Sequence, residues 1–210
     1  MDELINLLYK WQALTGAVLG GGFALSVALL VSYKTQRREE IAAGYLITGN
    51  LTSFTASTSN LNLKAEEGSI TDKDYPLWLC NNLMGLKPTL STLYETSVSR
   101  VISKDVRLGV HLDLIRTFNA DIDAAFVRIN NDYEYHDEHG KNKRSEERIR
   151  ADANLVARGY NNIAVHAECA NYLIPRLVTS HFPSWYLFLS YFFPNEMDKK
   201  SKKLILTGKA

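Results

Sequence analysis

The sequence predicts an all-α protein: a single N-terminal transmembrane helix continuing into a cytoplasmic antiparallel helical bundle. Three observations carry this expectation. Residues 11–33 contain no charged side chain. Beyond them, apolar residues recur at steps of three and four, the period of one helix face. No stretch shows sustained period-two alternation with β-branched residues between turns, so no strand is expected.

From Trp11 to Tyr33 there are 23 uncharged residues. At a rise of about 1.5 Å per residue they extend roughly 34 Å, against a hydrocarbon core of about 30 Å. Tyr9 and Trp11 mark one edge of the run and Tyr33 the other, where aromatic rings sit well at the headgroup boundary. A cleaved signal peptide needs a basic start and a shorter apolar core; here the start is acidic, Asp2 and Glu3, and the run is too long. Lys34, Arg37 and Arg38 follow the run at once, whereas only Lys10 precedes it. The side richer in Lys and Arg stays in the cytoplasm, so residues 1–10 form an external stub and the C-terminal domain is cytoplasmic, at the inner (plasma) membrane. Gly16, Gly20, Ala24 and Ala28 recur every four residues, a strip of small side chains along one side of the span. Inside a bilayer such a strip permits close helix packing, so a homo-oligomer formed through the membrane helix is expected.

After the span, residues 34–180 are expected to form the cytoplasmic helical bundle. Ile41, Tyr45, Leu46, Leu51 and Phe54 fall near one face of a stalk helix continuous with the anchor and ending between residues 57 and 66. Residues 68–74 read as a turn, and Pro76 to Met84 as a short apolar helix closed by Gly85. Pro88 is expected to open the next helix, with apolar residues at Leu90, Tyr94, Val98 and Val101. A break at Ser103, with Asp105 in the first turn after it, separates this helix from one carrying Leu108, Leu112, Ile115, Phe118, Ile122, Phe126, Ile129 and Tyr133. The polar stretch from Tyr133 to Ser145, with Gly140, reads as a loop. Ser145 caps a last long helix whose seam, Val156, Tyr160, Ile163, Ala167, Ala170, Ile174 and Leu177, alternates steps of four and three as in bundle or coiled-coil packing. Pro175 bends its final turns.

Residues 181–210 are an aromatic segment and basic tail. Trp185, Tyr186 and Phe188 lead an apolar run between Pro183 and Pro194 that is too short to span, and Lys199, Lys200, Lys202 and Lys203 follow. Aromatics beside lysines suit a membrane interface; the competing expectation is that these rings cap the bundle core.

The formal net charge of +1, with 22% charged residues, excludes the basic profile of a nucleic-acid binder. Cys80 and Cys169 match no disulfide, zinc or redox spacing. His136, Asp137, His139 and Lys141, with His111 upstream, resemble in composition the constellation of the His-Asp phosphohydrolase superfamily, in which helices hold imidazoles and carboxylates around activated water on metal ions. There the pair projects from an apolar helix; here it is flanked by Tyr-Glu-Tyr and Asn-Lys-Arg, so neither a metal nor a cofactor is expected. His166 and Cys169 lie three apart on one helix, as a base and nucleophile could, but no third orienting group accompanies them. Phosphate-loop and nucleophile-elbow motifs are missing. The reading that remains is a self-associating, single-pass membrane protein acting as a non-enzymatic interaction, scaffold or sensor module, with the lipid bilayer and a protein as partners. A membrane-perturbing effector and a metal-dependent hydrolase using the His111/His136/Asp137 region are the alternatives.

Overall fold

The structure is a computed structural model that describes residues 2–84, 87–139, 146–180 and 182–207; for residues 2–4, 8, 132–139 and 146 it describes the backbone alone. Seven α-helices lie among these residues: α1 (Asp2–Glu67), α2 (Tyr75–Leu83), α3 (Tyr94–Val101), α4 (Val106–His139), α5 (Glu146–Ile174), α6 (Pro183–Phe192) and α7 (Glu196–Thr207). A 3-10 turn, Ile102–Lys104, joins α3 to α4, and a π-helical turn, Pro175–Thr179, follows α5. No strand occurs among the described residues, so the protein is all-helical. The chain divides into two compact units, Met1–Ile41 and Ala42–Ala210.

The first unit is the N-terminal part of α1. It is long and apolar, and every residue from 11 to 33 is exposed. The hydroxyls of Thr15 and Ser26 donate to the carbonyls of Trp11 and Gly22, at 2.7 and 2.8 Å. Two polar groups of this apolar run are thus satisfied by its own backbone.

The second unit has a continuous apolar core. From α1 come Ala43, Ile47, Leu51 and Phe54, spaced four, four and three apart, so the buried stripe keeps helical period through the Ser/Thr/Asn-rich stretch. Tyr45 and Leu46 fall outside this stripe and are exposed, which corrects the expected face: it is set by Ala43 and Ile47. The α5 seam from Val156 to Leu177 is buried at every expected position. On α4, Leu108, Leu112, Ile115, Ile122 and Ile129 are buried, while Phe118 and Phe126 pack half-buried against them. Arg128 pairs with Asp152 at 2.8 Å, Ile122 lies against Gly159, and His111 meets His166 at 2.7 Å, so residue numbers rise on α5 as they fall on α4. Helix contact is tight at Gly159, where a Cβ would come within 3.1 Å of Ile122 Cγ1, and at Gly44, where it would come within 3.0 Å of Val178 Cγ1.

Several boundaries differ from expectation. Residues 88–91 are not helical, and the helix expected from Pro88 begins at Tyr94. The Asn50 side chain accepts from the Ser91 amide at 2.8 Å and donates to the Ser91 hydroxyl at 3.2 Å, which holds this segment out of the helix. Returning from the stalk is therefore shared by α2 and the eight-residue α3 rather than by one long helix. The break after α3 falls where expected, but the capping side chain is Asp105, whose Oδ1 accepts from the Arg107 amide at 2.6 Å, rather than Ser103. Residues 133–139, expected in a loop, belong to α4, which continues to His139. A polar composition is compatible with helix, and neither Gly nor Pro interrupts this stretch before Gly140. Gly85, Gly140, Lys141 and Ser145 lie outside the described residues. At Pro175, α5 gives way to the π turn, the missing amide hydrogen shifting the register of the ladder. The lysine tail is not extended chain: it forms α7, which belongs to the second unit.

Candidate functional site

Two features carry chemistry, one in each unit. In the first, Gly16, Gly20, Ala24 and Ala28 lie one turn apart on α1 and are all exposed. A Cβ added at Gly16 or Gly20 would meet nothing within 4 Å, so the strip is unused by this chain. Trp11 and Tyr33 are 62% and 69% exposed at the two ends of the run. Lys34 and Arg38 are exposed; Arg37 reaches Glu40 at 3.4 Å, and Gln36 donates to the same carboxylate at 3.2 Å.

In the second unit the notable feature is a buried polar cluster joining α4, α5 and α7. His111 and His166 face each other, Nδ1 to Nδ1, at 2.7 Å, and His111 Nε2 lies 2.7 Å from the Ser201 hydroxyl. His111 and Ser201 are fully buried, and His166 nearly so. Two facing ring nitrogens at this distance share one proton: one donates and the other accepts. Burial drives the His111 pKa down to about 4, helped by His166 and then Arg107 and opposed by Asp105. Burial lowers that of His166 as well. Both imidazoles are therefore neutral near pH 7.

Alongside lies a charged cluster around Asp198 of α7. Its Oδ1 accepts from the Tyr186 hydroxyl at 2.5 Å and from Arg107 Nη1 at 3.3 Å, and its Oδ2 accepts from the Asn195 amide at 3.3 Å. Asn195 Oδ1 in turn accepts from the Asp198 amide at 2.9 Å, a reciprocal cap at the start of α7. Arg107 is also held by Asp105 at 2.9 Å and donates to the Ser190 hydroxyl at 3.3 Å. Burial, then the bond to Asp198, raises the Tyr186 pKa, so the phenol stays protonated as a donor.

The order hydroxyl, imidazole, second ring matches the spacing of a nucleophile, base and orienting group. Chemically it does not act as one here: Ser201 is 0% exposed, and an imidazole rather than a carboxylate stands behind the base. The His166–Cys169 pair set aside in the sequence is not brought together as base and nucleophile: His166 faces His111, and burial pushes the Cys169 thiol up to about 11. His111 and His136 both lie on α4, 25 positions apart, which is about 37 Å along the axis and beyond the reach of one metal ion. The side chains of His136, Asp137 and His139 lie outside the described residues. Among the described residues no group of three His, Cys, Asp or Glu side chains is placed to hold a metal. A groove of about 510 Å³ between α4 and α5 is lined by Phe118, Asp121, Asn154, Arg158 and Asn162.

Of the expected tail residues, Trp185 and Phe188 are exposed, whereas Tyr186 turns inward to Asp198. Lys199 is exposed, and Lys200 pairs with Glu168 at 2.6 Å. Nothing in composition or spacing announced the His111–His166–Ser201 cluster; the one signal was that His111 and His166 each sit in register with an apolar seam, at positions a core helix fills.

No family model matches the chain, and neither a curated protein nor a solved structure matches it.

Proposed function

We propose that the protein is a single-pass membrane protein, anchored at residues 11–33 with its N-terminus outside, whose helical unit is a cytoplasmic antiparallel bundle serving as a non-enzymatic interaction or sensor module. The observation that carries this reading is the exposure of the whole apolar run: none of its most apolar 18-residue window is buried. Contiguous apolar surface of that size on a water-soluble monomer is disfavoured at about 25 cal/mol per Å², and a bilayer removes the penalty. Thr15 and Ser26, satisfied by backbone carbonyls, are compatible with lipid on all sides. The opposed numbering of the α4–α5 contacts supports the antiparallel arrangement.

The reading is tested by alkaline extraction together with reporter fusions. The protein should stay with the membrane pellet at high pH, a periplasmic phosphatase fused after the last residue should be inactive, and a fluorescent protein there should glow. Release by alkali would remove the anchor, and an active phosphatase would reverse the orientation.

Self-association through the small-residue strip is part of this proposal, supported by the empty space over Gly16 and Gly20. Gly20→Ile places a branched side chain in the middle of the strip and should weaken dimerisation about tenfold, about 1.4 kcal/mol, through lost close backbone packing. A two-hybrid assay within a membrane reads this directly. Undiminished association would place the interface elsewhere on the helix.

A further inference from the structure

The apolar surface of α6 is arranged inside out. Its inward side is polar: Tyr186 and Ser190, four apart, bond Asp198 and Arg107 at 2.5 and 3.3 Å. Its outward side is aromatic. Trp185, Phe188 and Phe192, spaced three and four apart, form one ladder, with ring centroids 5.8 Å apart between the first two and 4.8 Å between the second two. Tyr191 extends it edge-on to Phe192 at 5.1 Å. Exposure along the ladder is 64% at Trp185, 51% at Phe188 and 57% at Phe192. The hydrogen bonds on the inner side fix the rotation of the helix, so this face is held outward rather than left over from loose packing.

We infer that this face is a second membrane contact, in which α6 lies flat in the headgroup boundary of an anionic lipid surface; the inference rests on the anchor at residues 11–33. Three features name lipid as the occupant. The exposed side chains are the type that favours that boundary, rings with Trp and Tyr polar atoms among them. A ten-residue helix of about 15 Å is too short to cross but long enough to lie in the plane. Lys199, Lys202 and Lys203 of α7, three residues further on, are exposed cations suited to anionic headgroups. An anchored chain also holds its own α6 at high local concentration near a bilayer, so a weak contact suffices.

Two single-tryptophan forms of the full chain, reconstituted in vesicles containing phosphatidylglycerol brominated near the top of the acyl chains, decide the matter. One keeps only Trp185, with Trp11→Phe and Trp78→Phe; the other keeps only Trp11, with Trp78→Phe and Trp185→Phe. Both should be quenched at least twofold. Adding Phe188→Ser and Phe192→Ser to the Trp185 form should halve its quenching, and a helical circular dichroism spectrum equal to that of the parent verifies folding. Quenching of Trp11 alone would overturn the α6 contact and leave the anchor standing. Quenching of Trp185 alone would do the reverse. Quenching of neither would overturn both. A blue-shifted Trp185 that bromine does not quench would show the ladder covered by protein, a second copy included, and would overturn the lipid assignment.

Discussion

Asp198→Ala is expected to cost about 3 kcal/mol of stability and to loosen the C-terminal helices before the rest of the unit. Asp198 is 4% exposed and serves four donors from four places: Arg107 on α4, the Tyr172 hydroxyl on α5, the Tyr186 hydroxyl on α6 and the Asn195 amide at the start of α7. Removing one partner of a buried pair typically costs about 3–5 kcal/mol, because the other charge stays behind without compensation. Here Asp105 still neutralises Arg107 at 2.9 Å, which reduces that loss, while the lost cap adds about 1 kcal/mol. Urea unfolding in detergent should show the midpoint falling, and limited proteolysis should show faster cutting at residues 193–196. Asp198→Asn keeps the volume and an acceptor for Tyr186, so it should lose less than half as much. A change below about 0.5 kcal/mol for the alanine variant would mean that the Asp198 contacts do not hold α6 and α7 in place.

The second large effect is with pH. His111 has its pKa lowered from 6.5 to about 4 in the folded protein. Between these values the unfolded chain binds a proton that the folded protein refuses, so stability increases with pH across this window. The full contribution is present above about pH 6.5, is lost as pH falls toward 4, and changes no further once the folded form also protonates. The slope approaches 1.4 kcal/mol per unit for one proton, giving a loss of about 2 kcal/mol between pH 6.5 and 5 from His111. His166, shifted the same way, adds to it. Burial explains the refusal: His111 is fully enclosed, so a charged ring there loses its hydration, and His166 opposes it further. His111→Gln should flatten the dependence by about one proton whatever it does to absolute stability. A slope as steep as in the parent would assign the acid sensitivity to other groups.

Much of the fold was legible because helix faces write themselves into sequence. The α5 seam is buried at each position its period predicts, and the turn at residues 68–74 and the helix after it fall where Gly68 and Pro76 put them. Punctuation failed where a distant side chain decided the backbone: Asn50 holds Ser91 out of helix across 41 positions, and no local rule sees that. Polarity misled at residues 133–139, since a polar helix and a loop share a composition. The inverted α6 was hidden for a related reason. Its aromatics read equally as a core cap or a surface, and the choice is made by Tyr186 meeting Asp198, a pairing of tertiary structure. Likewise, His111, His166 and Ser201 lie 55 and 90 positions apart in their two bonded pairs, so their meeting follows from the packing of three helices rather than from any spacing.

The contact of Phe54 with Tyr160, rings 6.2 Å apart, also sets a schedule for biosynthesis. The two residues are 106 positions apart, and Gly44 waits still longer for Val178, 134 positions on. At about 5–20 residues per second, Phe54 waits roughly 5–20 s for Tyr160 to be made. Phe54 therefore leaves the ribosome well ahead of its ring partner, and a messenger truncated before the codon for Tyr160 yields a product that lacks this contact.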